Sequence, residues 1–318
     1  MQNQTNISDL ASRISQGAGQ VIRGADQTLR LLTTALFCCG HVLLEDLPGT
    51  GKTTLVKAIA KLTGCDFKRI QCTPDLMPAD LTGYEILHTD ADGTRRPVFR
   101  KGPVFTNLLL ADEINRMAPR SQAGLLECMA EHQVTYNGTR YDLPEPFFVI
   151  ATQNPIELQG TFPLPEAQLD RFFMRLSLGQ PSREQELAIL NDRQETDPLD
   201  SLSPVTSPKE LIEAQALVKT VKISADVCNY LLDLADATRR HSQVRYGLST
   251  RGALALQHAA QGYAAVSGRD YVIPDDVKAV FQPVCAHRIH ISNAVLSDEA
   301  AAGRLMKELL NSVEVPKA

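Results

Sequence analysis

The chain has 318 residues, of which 43% are hydrophobic and 22% are charged, and its formal net charge at pH 7 is −5. This composition is that of an ordinary soluble globular protein of about two domains, and the acidic balance argues against a dedicated nucleic-acid surface. A polar start predicts no signal peptide, no apolar run is long enough to cross a bilayer, and seven cysteines without a C-x-x-C pair favour a reducing, cytoplasmic location.

The first predicted element is helical. Residues 8–39 carry apolar positions at helical spacing, with a predicted break from Gly17 to Gly24. Val21 and Ile22 lie in that break, and two β-branched side chains there could pack on an adenine ring. Ordinary core packing explains the same two residues equally well.

A strand, a glycine-rich turn and a helix follow, which is the context that a phosphate-binding loop requires. The strand covers 40–44 and the helix ends before Gly64. We expect Lys52 to reach the β- and γ-phosphates of a nucleotide, and the Thr53 hydroxyl to bind Mg²⁺. Asp46 stands where the motif usually has its first glycine, and we interpret it as a variant because Asp tolerates tight and left-handed turns. The predicted nucleotide-binding residues of this loop are Asp46, Leu47, Pro48, Gly49, Thr50, Gly51, Lys52, Thr53 and Thr54.

Two hairpins are predicted outside the main sheet. After a strand at 66–71, the irregular stretch 76–105 contains the turn dipeptide Asp92-Gly93 between two extended segments. A second turn dipeptide, Asn137-Gly138, lies within the alternating residues 133–141. Both patterns favour short β-ribbons inserted into the domain.

Two further strands are predicted to end in polar groups at one edge of the sheet. The apolar run 106–111 ends in Asp112 and Glu113, which suit Mg²⁺ binding and the polarisation of an attacking water respectively. The run 147–152 leads to Asn154, which is well placed to hydrogen-bond a γ-phosphate or that water. A turn asparagine before proline is the alternative interpretation of Asn154.

The remainder of the chain is predicted to be helical. Residues 165–175 form a short helix that leads into a strand, and Arg171 and Arg175 there could equally be surface charges. The composition shift near residue 180 is our predicted domain boundary, followed by a polar loop at 191–208. Arg251 falls in the first turn of a helix, where a cation opposes the helix dipole and hints at an external anionic partner. The predicted helices of this part are 209–219, 225–241, 250–267, 275–287 and 298–312.

The order of these motifs resembles that of the MoxR family of AAA+ ATPases. The resemblance rests on Gly-His-Val-Leu-Leu-Glu before the loop, Leu-Ala-Asp-Glu-Ile-Asn-Arg, Ile-Ala-Thr-Gln-Asn-Pro and Pro-Glu-Ala-Gln-Leu-Asp-Arg-Phe, and it runs from about residue 20 to 290. It implies an α/β fold: a P-loop AAA+ parallel-sheet core with two β-hairpin inserts, followed by an all-α lid domain. The core would be residues 1–180 and the lid residues 181–318.

The resemblance also implies roles for single residues. Lys52 and Thr53 match Walker A, Asp112 and Glu113 match Walker B, and Asn154 matches sensor 1. Arg171 takes the position of an arginine finger, which reaches a neighbour's nucleotide, and Arg251 that of sensor 2. Many relatives have proline where this chain has Thr250 and Lys101.

The function that follows is hydrolysis of ATP with Mg²⁺ at sites between the subunits of a homo-oligomeric ring, with a hexamer as the expected form. Family membership implies chaperone-like remodelling or maturation of partner proteins, including metal-cofactor insertion, together with von Willebrand factor A domain proteins. The client stays open, as do the roles of Arg116, Arg120 and Arg175. The alternatives are a nucleic-acid motor subunit, a monomeric P-loop kinase for a small molecule, and a scaffold that binds ATP without turnover.

Overall fold

A computed structural model gives the structure of residues 2–154, 160–192, 197–291 and 299–316. The helices within these ranges are α1 (Gln2–Val21), α2 (Asp26–Phe37), α3 (Lys52–Thr63), α4 (Pro78–Thr82), α5 (Pro119–Glu131), α6 (Glu166–Leu169), α7 (Arg183–Asp192), α8 (Pro208–Val218), α9 (Ala225–Arg240), α10 (Thr250–Val266), α11 (Pro274–Cys285) and α12 (Glu299–Asn311). The strands are β1 (Val42–Glu45), β2 (Phe67–Gln71), β3 (Gly83–Thr89), β4 (Arg95–Lys101), β5 (Leu108–Asp112), β6 (Gln133–Tyr136), β7 (Thr139–Asp142), β8 (Phe148–Gln153), β9 (Met174–Leu176), β10 (Val244–Tyr246) and β11 (His290–Ile291). Short 3₁₀ turns cover Ile114–Arg116 and Pro198–Ser201.

A five-stranded parallel sheet forms the centre of the fold, with the strand order β2-β5-β8-β1-β9. Its central strands β5 and β8 are buried along almost their whole length, as their uninterrupted apolar sequences predict. Separate hydrophobic clusters cover the two faces of the sheet. Because the strands are parallel, the carboxyl ends of β1, β5 and β8 lie at one edge, which is where the candidate site is found.

Both predicted hairpins are present as two-stranded antiparallel ribbons, β3–β4 and β6–β7. They pack on each other through aromatic rings. Phe99 of β4 stacks on Tyr141 of β7 with ring centroids 4.2 Å apart. Asn137 Nδ2 at the tip of the second ribbon donates to Glu85 Oε2 of the first at 3.2 Å. The two inserts therefore form one joined surface feature on the outside of the core.

The predicted helix break from Gly17 to Gly24 is wrong in position. Helix α1 continues through Gly17 to Val21, and the break spans only residues 22–25. The reason is packing: a Cβ atom on Gly17 would lie 2.5 Å from Leu62 Cδ2 of α3. Gly17 is thus a point of close helix approach rather than a helix terminator, a distinction that spacing along the chain does not reveal.

The carboxyl-terminal part is built from α7 to α12, and it fits the expected AAA+ lid with one addition. Strands β10 and β11 pair as a small antiparallel ribbon within the otherwise helical region. The amino-terminal helices α1 and α2 pack against α8 and α10, and one hydrophobic cluster runs through all of them. The boundary at residue 180 stays a prediction. Of the predicted loop 191–208, residues 193–196 lie outside the described residues, as do Pro155, which follows Asn154, and residue 298 of the last predicted helix.

Among the helices that the structure describes, none combines the length and the apolar character needed to cross a lipid bilayer.

Candidate functional site

A cavity of about 440 Å³ opens at the carboxyl edge of the sheet. Its walls come from the α1–α2 connection at 21–25, the loop and helix start at 48–54, and the ends of β5 and β8. The segment that leads into α7 closes another side through Leu178, Gly179 and Pro181, joined by Ile189 of α7 itself. Residues far apart in sequence thus meet around one space of nucleotide-like size.

The loop after β1 has the backbone form of a phosphate cradle. Gly49 and Gly51 have φ angles of +86° and +88°, which only glycine adopts without strain. A Cβ on Gly49 would meet nothing within 4 Å, so its requirement is conformational, whereas one on Gly51 would lie 3.4 Å from Ile22 Cδ1. Helix α3 begins directly after this loop, and its amino-terminal N–H groups favour an anion there.

Lys52 is the cation of this loop. Its Nζ donates to the backbone oxygens of Asp46 at 2.6 Å and of Leu47 at 3.3 Å. Partial burial lowers the pKa of Lys52, while the nearby carboxylates of Asp46, Asp112 and Glu113 act in the opposite direction. The Lys52 amine is thus hydrogen-bonded within the loop where it is predicted to bind phosphate.

Asp46 has a different role from the one that its position in the motif suggests. Its φ is not positive, so tolerance of left-handed geometry does not explain it. The buried carboxylate accepts hydrogen bonds from Ser177 Oγ at 2.6 Å, Leu178 N at 2.7 Å and Gly179 N at 3.1 Å. Asp46 ties the loop to the segment after β9, and neither Asp46 nor Leu47 lines the cavity, although Pro48 to Thr54 all do.

Asp112 at the end of β5 is buried and makes contacts through both carboxylate oxygens. Thr152 Oγ1 of β8 donates to its Oδ1 at 2.6 Å, and Arg69 of β2 donates to its Oδ2 through Nε at 3.1 Å and Nη2 at 2.7 Å. Asp112 and Thr53, the two predicted Mg²⁺ ligands, line the same cavity. A carboxylate and a hydroxyl facing a phosphate-binding space are a suitable oxygen donor set for Mg²⁺.

Glu113 occupies a strained backbone position with a φ of +60°, which is uncommon for a residue other than glycine and typical of functional sites. Its N–H donates to Thr152 Oγ1 at 2.8 Å. Its Oε2 accepts from Gln71 Nε2 at 2.8 Å and from Arg116 Nη1 at 3.1 Å. Arg116, whose role was open, is therefore a partner of this carboxylate.

Sequence analysis missed Arg69, Gln71 and Thr152 as parts of this network. The sequence does signal that Arg69 and Gln71 share one face of a strand, because they are two residues apart, and the structure puts Gln71 in register with Asp112 on the neighbouring strand. Without the strand order, however, nothing in the sequence places β2 beside β5. Thr152 reads as one more residue of a buried strand.

Asn154 lies just beyond β8, is 6% exposed and lines the cavity together with the two acids. Val21 and Ile22 are also buried and line the cavity, as does Ile189 of α7. An ion pair between Arg23 Nη2 and Asp192 Oδ2 at 2.9 Å holds α7 against the α1–α2 connection. The cavity lining thus combines polar groups from the edge of the sheet with apolar side chains from the α1–α2 connection and α7.

The arginines at 171 and 251 do not line this cavity. Arg171 is exposed and donates from Nη1 to Leu126 O at 2.9 Å. Arg251 is also exposed, with Nε 3.6 Å from Asp170 Oδ2, so both arginines lie next to Asp170. Arg175, the other undecided arginine of this segment, pairs with Glu45 Oε2 at 3.2 Å across β1 and β9.

Arg120, the remaining undecided arginine, is exposed in the first turn of α5. A residue that sequence analysis overlooked altogether is Arg288. Its buried guanidinium pairs with Asp170 at 2.8 Å, beside both exposed arginines.

Comparisons with known proteins agree with this architecture. The family model described as "ATPase family associated with various cellular activities (AAA)" matches residues 41–174, and an AAA lid domain model matches residues 236–308. A crystal structure from Cytophaga hutchinsonii, described as that of a candidate ATPase, superposes with a TM-score of 0.90 at 35% identity and covers 99% of this chain and 98% of its own.

Several curated relatives match over nearly the full chain. The uncharacterised protein YeaC of Bacillus subtilis is 42% identical over 99% of this chain and 98% of its own. Chaperone MoxR1 of Mycobacterium tuberculosis is 38% identical over 94% of this chain and 80% of its own, and Protein MoxR of Methylorubrum extorquens is 32% identical over 97% and 95%. With this fold, this cavity and these relatives, the chain belongs to the MoxR family of AAA+ ATPases.

Proposed function

We propose that the protein hydrolyses ATP at sites formed between two copies of the chain in a ring, with a hexamer as the expected form. The observation that carries the proposal is the separation of two groups of residues. The phosphate loop, Asp112, Glu113 and Asn154 surround one cavity, whereas Arg171 and Arg251 lie exposed outside it. Lys52 and Arg23 line the cavity, but Arg171 and Arg251 do not, and a neighbour's exposed arginines would supply the further positive charge that stabilises a transferred phosphoryl group.

The proposal gives separate roles to the phosphate loop, the metal-binding pair and the apolar wall of the cavity. Backbone N–H groups from Gly49 to Gly51 and the Lys52 amine would bind the phosphates, and Val21 and Ile22 would pack on the base. Thr53 and Asp112 would hold Mg²⁺, which neutralises phosphate charge when bound.

Glu113 would orient the attacking water and accept its proton. In the present structure Gln71 and Arg116 both donate to its Oε2, and these two contacts orient the carboxylate. Asn154 would hydrogen-bond the γ-phosphate or the same water.

The biological task that we propose is chaperone-like remodelling or maturation of client proteins in the cytoplasm, including metal-cofactor insertion. The name of the mycobacterial relative, Chaperone MoxR1, supports a chaperone role. Proteins with a von Willebrand factor A domain are the co-factors that we expect. The joined ribbons β3–β4 and β6–β7 offer a surface outside the core for such contacts.

Substitution of the exposed arginine tests the shared site. Arg171→Ala should lower turnover by about 10³- to 10⁵-fold and leave ATP affinity nearly unchanged, since the side chain serves a neighbour's cavity. Steady-state ATPase assays and binding of a fluorescent ATP analogue measure the two quantities. Arg140→Ala, at an arginine of β7 that pairs with Asp142, is the matched control and should change neither. Loss of ATP binding in Arg171→Ala, or turnover equal to that of the control, would contradict the proposal.

A further inference from the structure

Arg288 is a buried arginine that the roles above leave unused. Its side chain is only 4% exposed, although it carries a charge that is expensive to bury without partners. It follows α11, where its N–H donates to Cys285 O. A buried guanidinium needs a hydrogen-bond partner for each of its N–H groups, so its partners show which part of the chain it fixes in place.

Most of those partners surround Arg171 in the chain, and the others belong to the segment of Arg288 itself. Arg288 Nε donates to Asp170 Oδ1 at 2.8 Å, and Nη2 donates to the backbone oxygens of Asp170 at 3.2 Å and Phe172 at 2.7 Å. Nη1 donates to Phe173 O at 3.0 Å. One side chain from the carboxyl-terminal part thus fixes the backbone on both sides of Arg171.

The aliphatic part of the Arg288 side chain lies against the start of α10. A Cβ on Gly252 would come within 3.3 Å of Arg288 Cδ and 2.5 Å of Leu248 Cδ1, so only glycine leaves room for this packing. Gly252 directly follows Arg251, and Arg251 pairs weakly with the second oxygen of Asp170. Arg171 and Arg251 are therefore connected to each other through Asp170 and Arg288.

We propose that Arg288 and Asp170 are positioning residues that present Arg171 and Arg251 as one rigid unit to the nucleotide of a neighbouring subunit. This inference rests on the shared site proposed above. Neither positioning residue touches the nucleotide itself. A preorganised pair of cations loses little freedom when the neighbour's phosphates arrive, and that is how positioning of charged groups accelerates a reaction.

Arginine is required at 288 because its planar fork donates in several fixed directions at once. Lysine keeps the charge but cannot bond the Asp170 carboxylate and the carbonyl oxygens on both sides of Arg171 together. We expect Arg288→Lys to lower turnover at least tenfold while ATP affinity stays within about twofold of the wild-type value, because the variant's own cavity is intact.

Mixing of subunits distinguishes positioning from general damage to the fold. Arg288→Lys chains keep an unchanged cavity, and Glu113→Gln chains keep correctly positioned Arg171 and Arg251. An interface in which the first variant supplies the cavity and the second supplies the arginines is therefore fully functional. In randomly mixed rings about a quarter of the interfaces have this composition, because the interface is heterologous. ATPase activity should therefore rise to about a quarter of the wild-type value in the mixture, from near zero for Glu113→Gln alone and at most about a tenth of the wild-type value for Arg288→Lys alone.

A parallel mixture keeps this inference separate from the proposed function. Arg171→Ala with Glu113→Gln should recover activity in the same way if the site is shared. Recovery there without recovery for Arg288→Lys overturns the positioning role alone. Absence of recovery in both mixtures overturns the shared site as well.

Two further variants complete the experiment. Arg269→Lys alters another partly buried arginine, paired with Asp276 in the same helical part, and should lower the melting temperature with little loss of turnover. If its turnover falls as much as that of Arg288→Lys, positioning is overturned. Should Arg288→Lys fail to fold, Asp170→Asn takes its place: reduced turnover that the mixture restores supports the inference, and full activity alone or no recovery in the mixture overturns it.

Discussion

His41 illustrates how one buried side chain joins the elements beneath the site. Its Nδ1 accepts a hydrogen bond from Val149 N of β8, and its Nε2 lies 3.0 Å from Met129 O of α5. Because Nδ1 accepts, the neutral ring carries its proton on Nε2 and donates to Met129 O. Burial lowers the pKa of His41 from 6.5 to about 4. The folded protein therefore favours the neutral form of the His41 ring, whereas in the unfolded chain this ring is protonated more readily.

This pKa predicts a loss of stability in acid. A His whose pKa is lowered on folding contributes its full stabilisation above pH 6.5, and that contribution falls as the pH drops towards 4. The expected loss from His41 is about 3 kcal/mol in the free energy of unfolding, and burial lowers the pKa of His287 in the same direction. Urea titrations from pH 7 to pH 4 measure it.

Two substitutions test whether His41 causes this loss of stability. His41→Gln should weaken the pH dependence between 6.5 and 4 and leave the part due to His287, whereas His88→Gln, at an exposed histidine of β3, should leave it as in the wild type. An unchanged slope in His41→Gln would show that other groups cause the acid sensitivity.

Residue-scale roles were the hardest to read from the chain. The motif positions Asp46 in the loop, but its carboxylate contacts Ser177 to Gly179, more than a hundred residues away. Arg288 reads in the sequence as an ordinary residue after a helix. In both cases the partner is defined only by the fold, since hydrogen bonds depend on positions in space and not on spacing along the chain.

At the scale of elements, helix packing separates glycines that look alike in the sequence. Gly17 of α1 and Gly303 of α12 both lie inside helices, where glycine costs up to about 1 kcal/mol relative to alanine. A Cβ on Gly17 would meet the buried Leu62 at 2.5 Å, whereas one on Gly303 would meet nothing within 4 Å. Of these two glycines, Gly17 alone is needed for the close approach of α1 to α3.

Alanine at these two positions should have opposite effects. Gly303→Ala should raise the free energy of unfolding by about 0.5–1 kcal/mol, because it removes backbone freedom from the unfolded chain. Gly17→Ala should lower it by about 1–2 kcal/mol, because overpacking between α1 and α3 outweighs the helix gain. Thermal and urea unfolding measure both, and equal stabilisation by the two substitutions would refute the packing argument.

Elements were predicted well where local signals were strong. Buried strands, the helix after the phosphate loop and both hairpins follow from apolar runs and turn dipeptides such as Asp92-Gly93. The short ribbon β10–β11 was not predicted, because strands of two or three residues lack a periodic pattern. The predicted break in α1 was misplaced because Gly17 serves close packing against α3 and does not end the helix.

For the whole molecule, the proposed division of the site between chains would make activity depend on assembly. If the proposed shared site forms, specific ATPase activity should rise with protein concentration and reach a plateau once rings are complete, because a single chain would lack an arginine contribution worth about 10³- to 10⁵-fold in rate. Activity assays and light scattering over the same concentrations measure the two together. ATP binding, which uses one chain's cavity, serves as the control and should not follow this curve. Activity that is independent of concentration in a monomeric sample would contradict the shared site.

By itself, the sequence determined the fold class, the family, the phosphate loop and the positions of the acids and Asn154, because strand, turn and helix signals are local and the motif spacing is fixed. Only the tertiary structure decided which of these residues share a cavity, that Arg69 and Gln71 hold the two acids, and that Arg288 links both exposed arginines. The physical reason is that burial and hydrogen bonding are properties of three-dimensional neighbours. The phosphate loop could be recognised from its own residues, whereas the positioning of Arg171 depends on a guanidinium from the other end of the chain.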